Sequence, residues 1–177
     1  MGLARSTDAL LDYVWPRIRG RLDGITDDEY LWEPVPGCWS VRLRGERWEI
    51  ERVTPPPNPA PVTTIAWRTW HIGSECLDSY SQRGFDAKAL DLEPTEWYPR
   101  AQDALAAMDQ AWACFSSCYR ALDDEAMARQ LGPRFGPWAE SNVADMLLHV
   151  ADELIHHGAE LALMRDLFTA TGGRTLE

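Results

Sequence analysis

Apolar residues recur at spacings of three and four in four separate stretches of this chain, each long enough to form a helix with one buried face. In the first, about residues 7–23, Leu10, Leu11, Val14, Ile18 and Leu22 form the stripe. Ser6 or Thr7 can cap its start, and Pro16 inside it predicts a kink or a break. The second, about residues 63–83, carries Ile65, Thr69, Ile72, Cys76 and Tyr80, with Gly84 as its stop. The third, about residues 99–122, starts with Pro99 at a permitted first-turn position and carries Leu105, Met108, Trp112, Phe115 and Tyr119. The fourth, about residues 141–169, is striped by Val143, Leu147, Val150, Leu154 and Leu161.

Between the first two stretches the pattern changes. Thr26 and Glu29 make a capping box for one helical turn, and residues 32–39 alternate proline with aromatics, as a packed loop does. Val41-Arg42-Leu43 and Trp48-Glu49-Ile50 alternate with period two around Gly45 and predict a short hairpin. Residues 54–61, TPPPNPAP, read as a stiff extended connector. Gly132-Pro133 and Gly136-Pro137 punctuate the link into the fourth stretch. The expectation is an all-α chain forming one domain over residues 1–177, with a core of about 7–168. Its architecture would be a four-helix bundle with a long, elaborated connection between helices 1 and 2.

Composition narrows the function classes. Hydrophobic residues make up 45% and charged residues 25%, the proportions of a folded domain. Against 28 acidic residues stand 17 basic ones, a net charge of -11 that speaks against nucleic acid or an anionic membrane as partner. Asp8 and Asp12 interrupt the only apolar stretch near the N-terminus, and no later stretch resembles a membrane span, so a cytoplasmic protein is expected. Four scattered cysteines, Cys38, Cys76, Cys114 and Cys118, are too few for a disulfide scaffold and are expected to be reduced. Packing is the simplest role for each, with Cys38 the better candidate for a reactive thiol.

Chemistry concentrates in HVADELIHHGAEL. His149, Glu153 and His157 follow one another at steps of four, each step advancing about 40° around a helix, so all share one strip beside the aliphatic face. His149 and His157 are about 12 Å apart along the axis, and metal bonds are only about 2 Å long, so one i, i+4 pair can bind an ion and not all three. The simpler alternative is that these groups satisfy one another in the core. A carboxylate between two imidazoles is costly to bury unless paired or metal-bound. His156 lies about 100° off the strip. His71 is the remaining histidine, and helical spacing points it away from the Ile65/Ile72/Cys76 stripe unless that helix is buried on both sides.

Four motifs in order, LDGITDDEYLWEP, GCWSVR, Trp70-His71-Ile72 and HVADELIHHGAE, resemble the DinB-like superfamily over about residues 7–168. That superfamily includes the bacillithiol S-transferases and the N-terminal domain of mycothiol-dependent maleylpyruvate isomerase. The resemblance implies an up-down-down-up bundle holding a divalent metal, zinc or nickel, through His71, Glu153 and His157, with His149 beside the ligands and not among them. Many members carry histidine where this chain has Glu153; the His/Glu/His set is similar to the isomerase branch. Three protein ligands leave a coordination position open. The resemblance therefore implies a thiol-dependent S-transferase or isomerase that activates a low-molecular-weight thiol against a small-molecule substrate. Sixteen of the 17 basic residues are arginine, the mark of a GC-rich genome, which favours a mycothiol-like thiol. Two alternatives stay open: a hydrolase that activates metal-bound water, with Asp152, Glu160 or Asp78 as base, and a non-catalytic metal-binding or interaction bundle. The resemblance also allows a homodimer.

Overall fold

The computed structural model describes residues 2–176. The four periodic stretches fold as long helices that pack side by side, giving an all-α architecture with one small hairpin. The order is α1 (Leu3–Arg21), α2 (Asp27–Leu31), β1 (Val41–Arg44), β2 (Arg47–Ile50), α3 (Ile65–Trp70), a π-helical segment (His71–Asp78), α4 (Ser79–Phe85), α5 (Ala101–Tyr119), α6 (Asp124–Met127), a 3₁₀ segment (Pro133–Trp138) and α7 (Val143–Thr171). α3, the π-helical segment and α4 are one continuous rod. Among the described residues no helix is long and apolar enough to cross a membrane.

α7 is the longest element, and both of its ends are specified locally. The Asn142 side chain accepts from the Asp145 N–H while Asp145 accepts from the Asn142 N–H, and Gly172 closes the helix at φ 63°. α1 lies along α7, burying Leu11, Val14, Ile18 and Leu22. Gly158 permits this approach, since a Cβ there would sit 2.6 Å from Ile18 Cγ1. Trp15 stacks on Trp112 at 4.5 Å and ties α1 to α5.

Three expectations about where helices start, break and stop fail for identifiable reasons. α1 begins at Leu3 instead of near Thr7 because Asp124, far away in sequence, accepts the Ala4 N–H at 2.8 Å. It also runs unbroken through Pro16, which is exposed, as is Asp12, so the carbonyl that proline leaves unpaired can reach water. Gly84 does not stop the second rod. It lies inside α4, where a Cβ would come within 3.0 Å of Met146 Sδ, and the rod ends one residue further on, at Phe85, capped by Asp86 in the left-handed region at φ 55°. α6 and the 3₁₀ segment carry no periodic pattern and were not expected.

The hairpin forms where the alternation places it, antiparallel with Val41 opposite Ile50. It is held to the rod's start, where Trp39 donates to Val62 O and Thr64 donates to Trp39 O. From residue 63 to residue 81 no position of the rod is exposed. One side carries Ile65, Trp70, Ile72 and Leu77 into the core against α5 and α7; the hairpin side is covered by Trp39, which lies 6.1 Å from Trp67.

Candidate metal centre

Burial on both sides is what brings His71 into a site despite its position off the apolar stripe. Trp67, one turn earlier, stacks on the His71 ring at 5.4 Å and 13°, and the indole is itself fixed by donating Nε1 to Glu51 O at 2.8 Å. Across from it α7 presents Glu153 and His157. His71 Nε2 lies 2.9 Å and His157 Nε2 3.1 Å from the same oxygen, Glu153 Oε2. The two imidazoles meet nearly perpendicular, 87° at 4.5 Å, and one ligand atom from each of the three residues lies within 4.8 Å of the others. Ligands at about 2.0–2.1 Å in a tetrahedral site are about 3.3–3.4 Å apart, so a cation fits if the three atoms open by a few tenths of an ångström.

The far side of each ring is held as well. His71 Nδ1 is 2.8 Å from Glu75 Oε2, and His157 Nδ1 is 2.6 Å from Glu160 Oε2. A carboxylate only accepts, so the Nδ1–H of each ring is held by its outer carboxylate; Nε2 in turn faces Glu153, to which it donates when the ring carries a second proton, and a bound cation would take that proton's place on the Nε2 lone pair. Arg68 Nη1 also approaches His157 Nδ1, at 3.2 Å, but the shorter contact to Glu160 decides the tautomer. Each carboxylate is backed by a guanidinium: Arg52 pairs with Glu75 at 3.1 Å, and Arg68 Nε donates to Glu160 at 2.9 Å. With neutral imidazoles, Glu75, Glu153 and Glu160 outnumber Arg52 and Arg68, leaving the cluster with surplus negative charge.

The protonation equilibria follow from these contacts. Burial disfavours charge on His71, yet its hydrogen bonds to Glu75 and Glu153 outweigh that and raise its pKa. Burial likewise pushes the three carboxyls upward, but their histidine and arginine partners win, and Glu75, Glu153 and Glu160 all lie below the ordinary value. Burial lowers the Arg68 pKa, with Glu160 and Glu153 opposing it.

The other sequence candidates fall outside this centre. His149 is half exposed, with Nε2 3.8 Å from Glu153 Oε1 and its ring edge-on to Tyr80. His156 is exposed and approaches Glu160 at 3.3 Å. His156, His157 and Glu160 form a second cluster of compatible spacing, but Arg68 sits on its carboxylate and opposes a cation there. Asp78 is buried and accepts from the Ala89 and Leu90 N–H groups. Cys38 is buried and donates to Val35 O, and burial pushes its thiol pKa upward, so the loop cysteine is not an activated nucleophile. The partners that sequence reasoning missed are Glu75, Arg52 and Arg68, together with Glu160 as the partner of His157. Glu75 at i+4 from His71 and Glu160 at i+3 from His157 were within helical reach and could have been found by that spacing.

Residues 10–161 match the family model described as DinB superfamily. No curated protein and no solved structure matches the chain.

Proposed function

Because the chain belongs to the DinB superfamily, we propose that it is a divalent-metal-dependent enzyme whose ion, zinc or nickel, is held by His71, Glu153 and His157. The supporting observation is the pairing of inner and outer contacts: two Nε2 atoms converge on Glu153 Oε2 while both Nδ1 atoms are held by carboxylates. Histidines that only satisfy one another do not need matched outer partners, whereas metal-ligating histidines almost always have them. A cation held there would supply Lewis-acid activation of a low-molecular-weight thiol, mycothiol-like, for transfer to or isomerisation of a small electrophile.

The protein's part is to keep the donors ready. Glu75 and Glu160 fix the ring tautomers, Arg52 and Arg68 fix those carboxylates, and Trp67 holds the plane of His71. A hydrolytic role would need a carboxylate free to take a proton from water. Asp78 is committed to backbone N–H groups, Glu160 to His157 and Arg68, and Asp152 lies exposed on α7. This favours the thiol reading. Isothermal titration of metal-loaded protein with mycothiol, bacillithiol and glutathione tests it: one of them should bind with heat and perturb the metal. No heat from any of the three, with activity that needs metal and no thiol, would replace this reading with the hydrolytic one.

A further inference from the structure

Next to the metal centre, α4, the 3₁₀ segment and α7 enclose a cavity of about 380 Å³ walled by Tyr80, Leu131, Phe135 and Trp138. Pockets for small molecules begin at about this size. The Tyr80 and Phe135 rings lie nearly parallel, 6.3 Å apart at 19°. Trp138 is 69% exposed, more than any other large hydrophobic side chain among the described residues. Folding thus leaves a large aromatic surface in water beside an aromatic wall, a surface that a flat apolar body would cover.

The charges in the cavity select which body. The Arg83 guanidinium stands 4.6 Å from the Tyr80 centroid and 5.3 Å from that of Phe135. Among the described residues Arg83 forms no ion pair, and its contact to Ser79 O is long, 3.5 Å. Nearby Arg134, by contrast, is paired with Asp86. Asp145 also faces the cavity, but its carboxylate caps α7 by accepting the Asn142 N–H at 3.0 Å. In a chain of net charge -11, a guanidinium over two rings with no carboxylate partner among the described residues is a place where an anion on an apolar frame can pair, Asp145 being the one acidic group in the lining and engaged at the start of α7. His149 lines the side nearest the metal centre, edge-on to Tyr80 and 3.8 Å from Glu153 Oε1.

We propose that this cavity is the substrate side of the metal centre and takes a small planar aromatic carboxylate, its flat body against Tyr80, Phe135 and Trp138 and its acid group on Arg83. Calling it the substrate side rests on the metal-dependent reading above; the binding step itself needs no metal and stands apart from it.

Titration of benzoate and of neutral benzyl alcohol into the full-length, metal-loaded protein, by calorimetry with tryptophan emission in parallel, tests the assignment. Benzoate should bind one-to-one and change the emission of the wild type much more than that of Trp138→Phe. Arg83→Gln should weaken benzoate roughly tenfold or more, the scale of a hydrogen bond to a charged group, and leave benzyl alcohol unchanged. Absence of benzoate binding to the wild type, or equal weakening of both ligands in Arg83→Gln, would overturn the proposal. The Glu153→Ala protein separates the two readings. Benzoate bound there without metal supports the cavity. Benzoate lost together with the metal places the acid on the ion and overturns the cavity assignment. A wild type that binds benzoate but no metal defeats the metal reading alone.

Discussion

Replacing Glu75 by Gln tests the idea that the outer carboxylates tune the metal ligands. Glu75 Oε2 accepts from His71 Nδ1 at 2.8 Å and is paired with Arg52 at 3.1 Å. The amide can keep the hydrogen bond, but without its charge the imidazole becomes a weaker donor. Outer partners of this kind are worth about 10–100-fold in metal affinity. Glu75 keeps 37% of its side-chain exposure, and Gln preserves an acceptor, so the lower end, about 10-fold or about 1.4 kcal/mol, is expected. A second effect has the opposite sign. Glu75 also raises the pKa of His71, so in the native protein a proton competes with the metal up to a higher pH. The variant relieves that competition. Competition titrations with a chromophoric chelator should therefore show the full loss at alkaline pH and a gap that narrows as the solution is acidified. Unchanged affinity at alkaline pH, or a gap that widens on acidification, would refute the reasoning.

Other outcomes follow from the same contacts. Glu153→Ala and His157→Ala should lose their metal by elemental analysis while His149→Ala keeps most of it; a fully occupied Glu153 variant would rule out the proposed ligands. In the metal-free protein, the stability that His71 contributes is complete below the ordinary histidine pKa and fades as pH rises through its raised value. Glu75, Glu153 and Glu160 contribute stability above the ordinary carboxylate pKa that is lost as pH falls through their lowered values. The metal-free melting temperature should thus be highest between those limits, and the rise in melting temperature on adding metal should grow with pH while protons still compete for the histidines; scanning calorimetry across pH would show a flat metal effect if neither histidine were a ligand. Gly158→Ala places a methyl 2.6 Å from Ile18 Cγ1 at the α1–α7 contact and should cost about 1–3 kcal/mol in urea denaturation, less whatever the better helix propensity returns.

The helices, the hairpin and the Glu153/His157 pair were legible because each is a local pattern: stripes at 3.6, alternation at two, and two candidate ligands one turn apart. His71 was not legible from its helix. A helical wheel assumes one buried face, and the rod from residue 63 to residue 81 has no exposed one. The π-helical segment that begins at His71 adds a residue per hydrogen-bonded ring and breaks the wheel's register beyond it. Only the family resemblance pointed to His71 as a candidate ligand. Arg52 reaches Glu75 from beyond the hairpin, Arg165 reaches Glu29 across 136 residues, and Asp124 caps a helix 120 residues earlier. Contacts made between distant segments leave no trace in spacing. Gly84 misled for a related reason, since its lack of a side chain serves the approach of Met146 and not the end of a helix.

The central claim is that one ion sits among His71, Glu153 and His157. Anomalous diffraction recorded on either side of the zinc or nickel absorption edge, from crystals of the metal-loaded protein, tests it most directly. The expected result is a single anomalous peak at about 2.0–2.2 Å from His71 Nε2, His157 Nε2 and a Glu153 carboxylate oxygen. A peak among His156, His157 and Glu160 instead, or no peak in protein that elemental analysis shows to carry metal in solution, would contradict it.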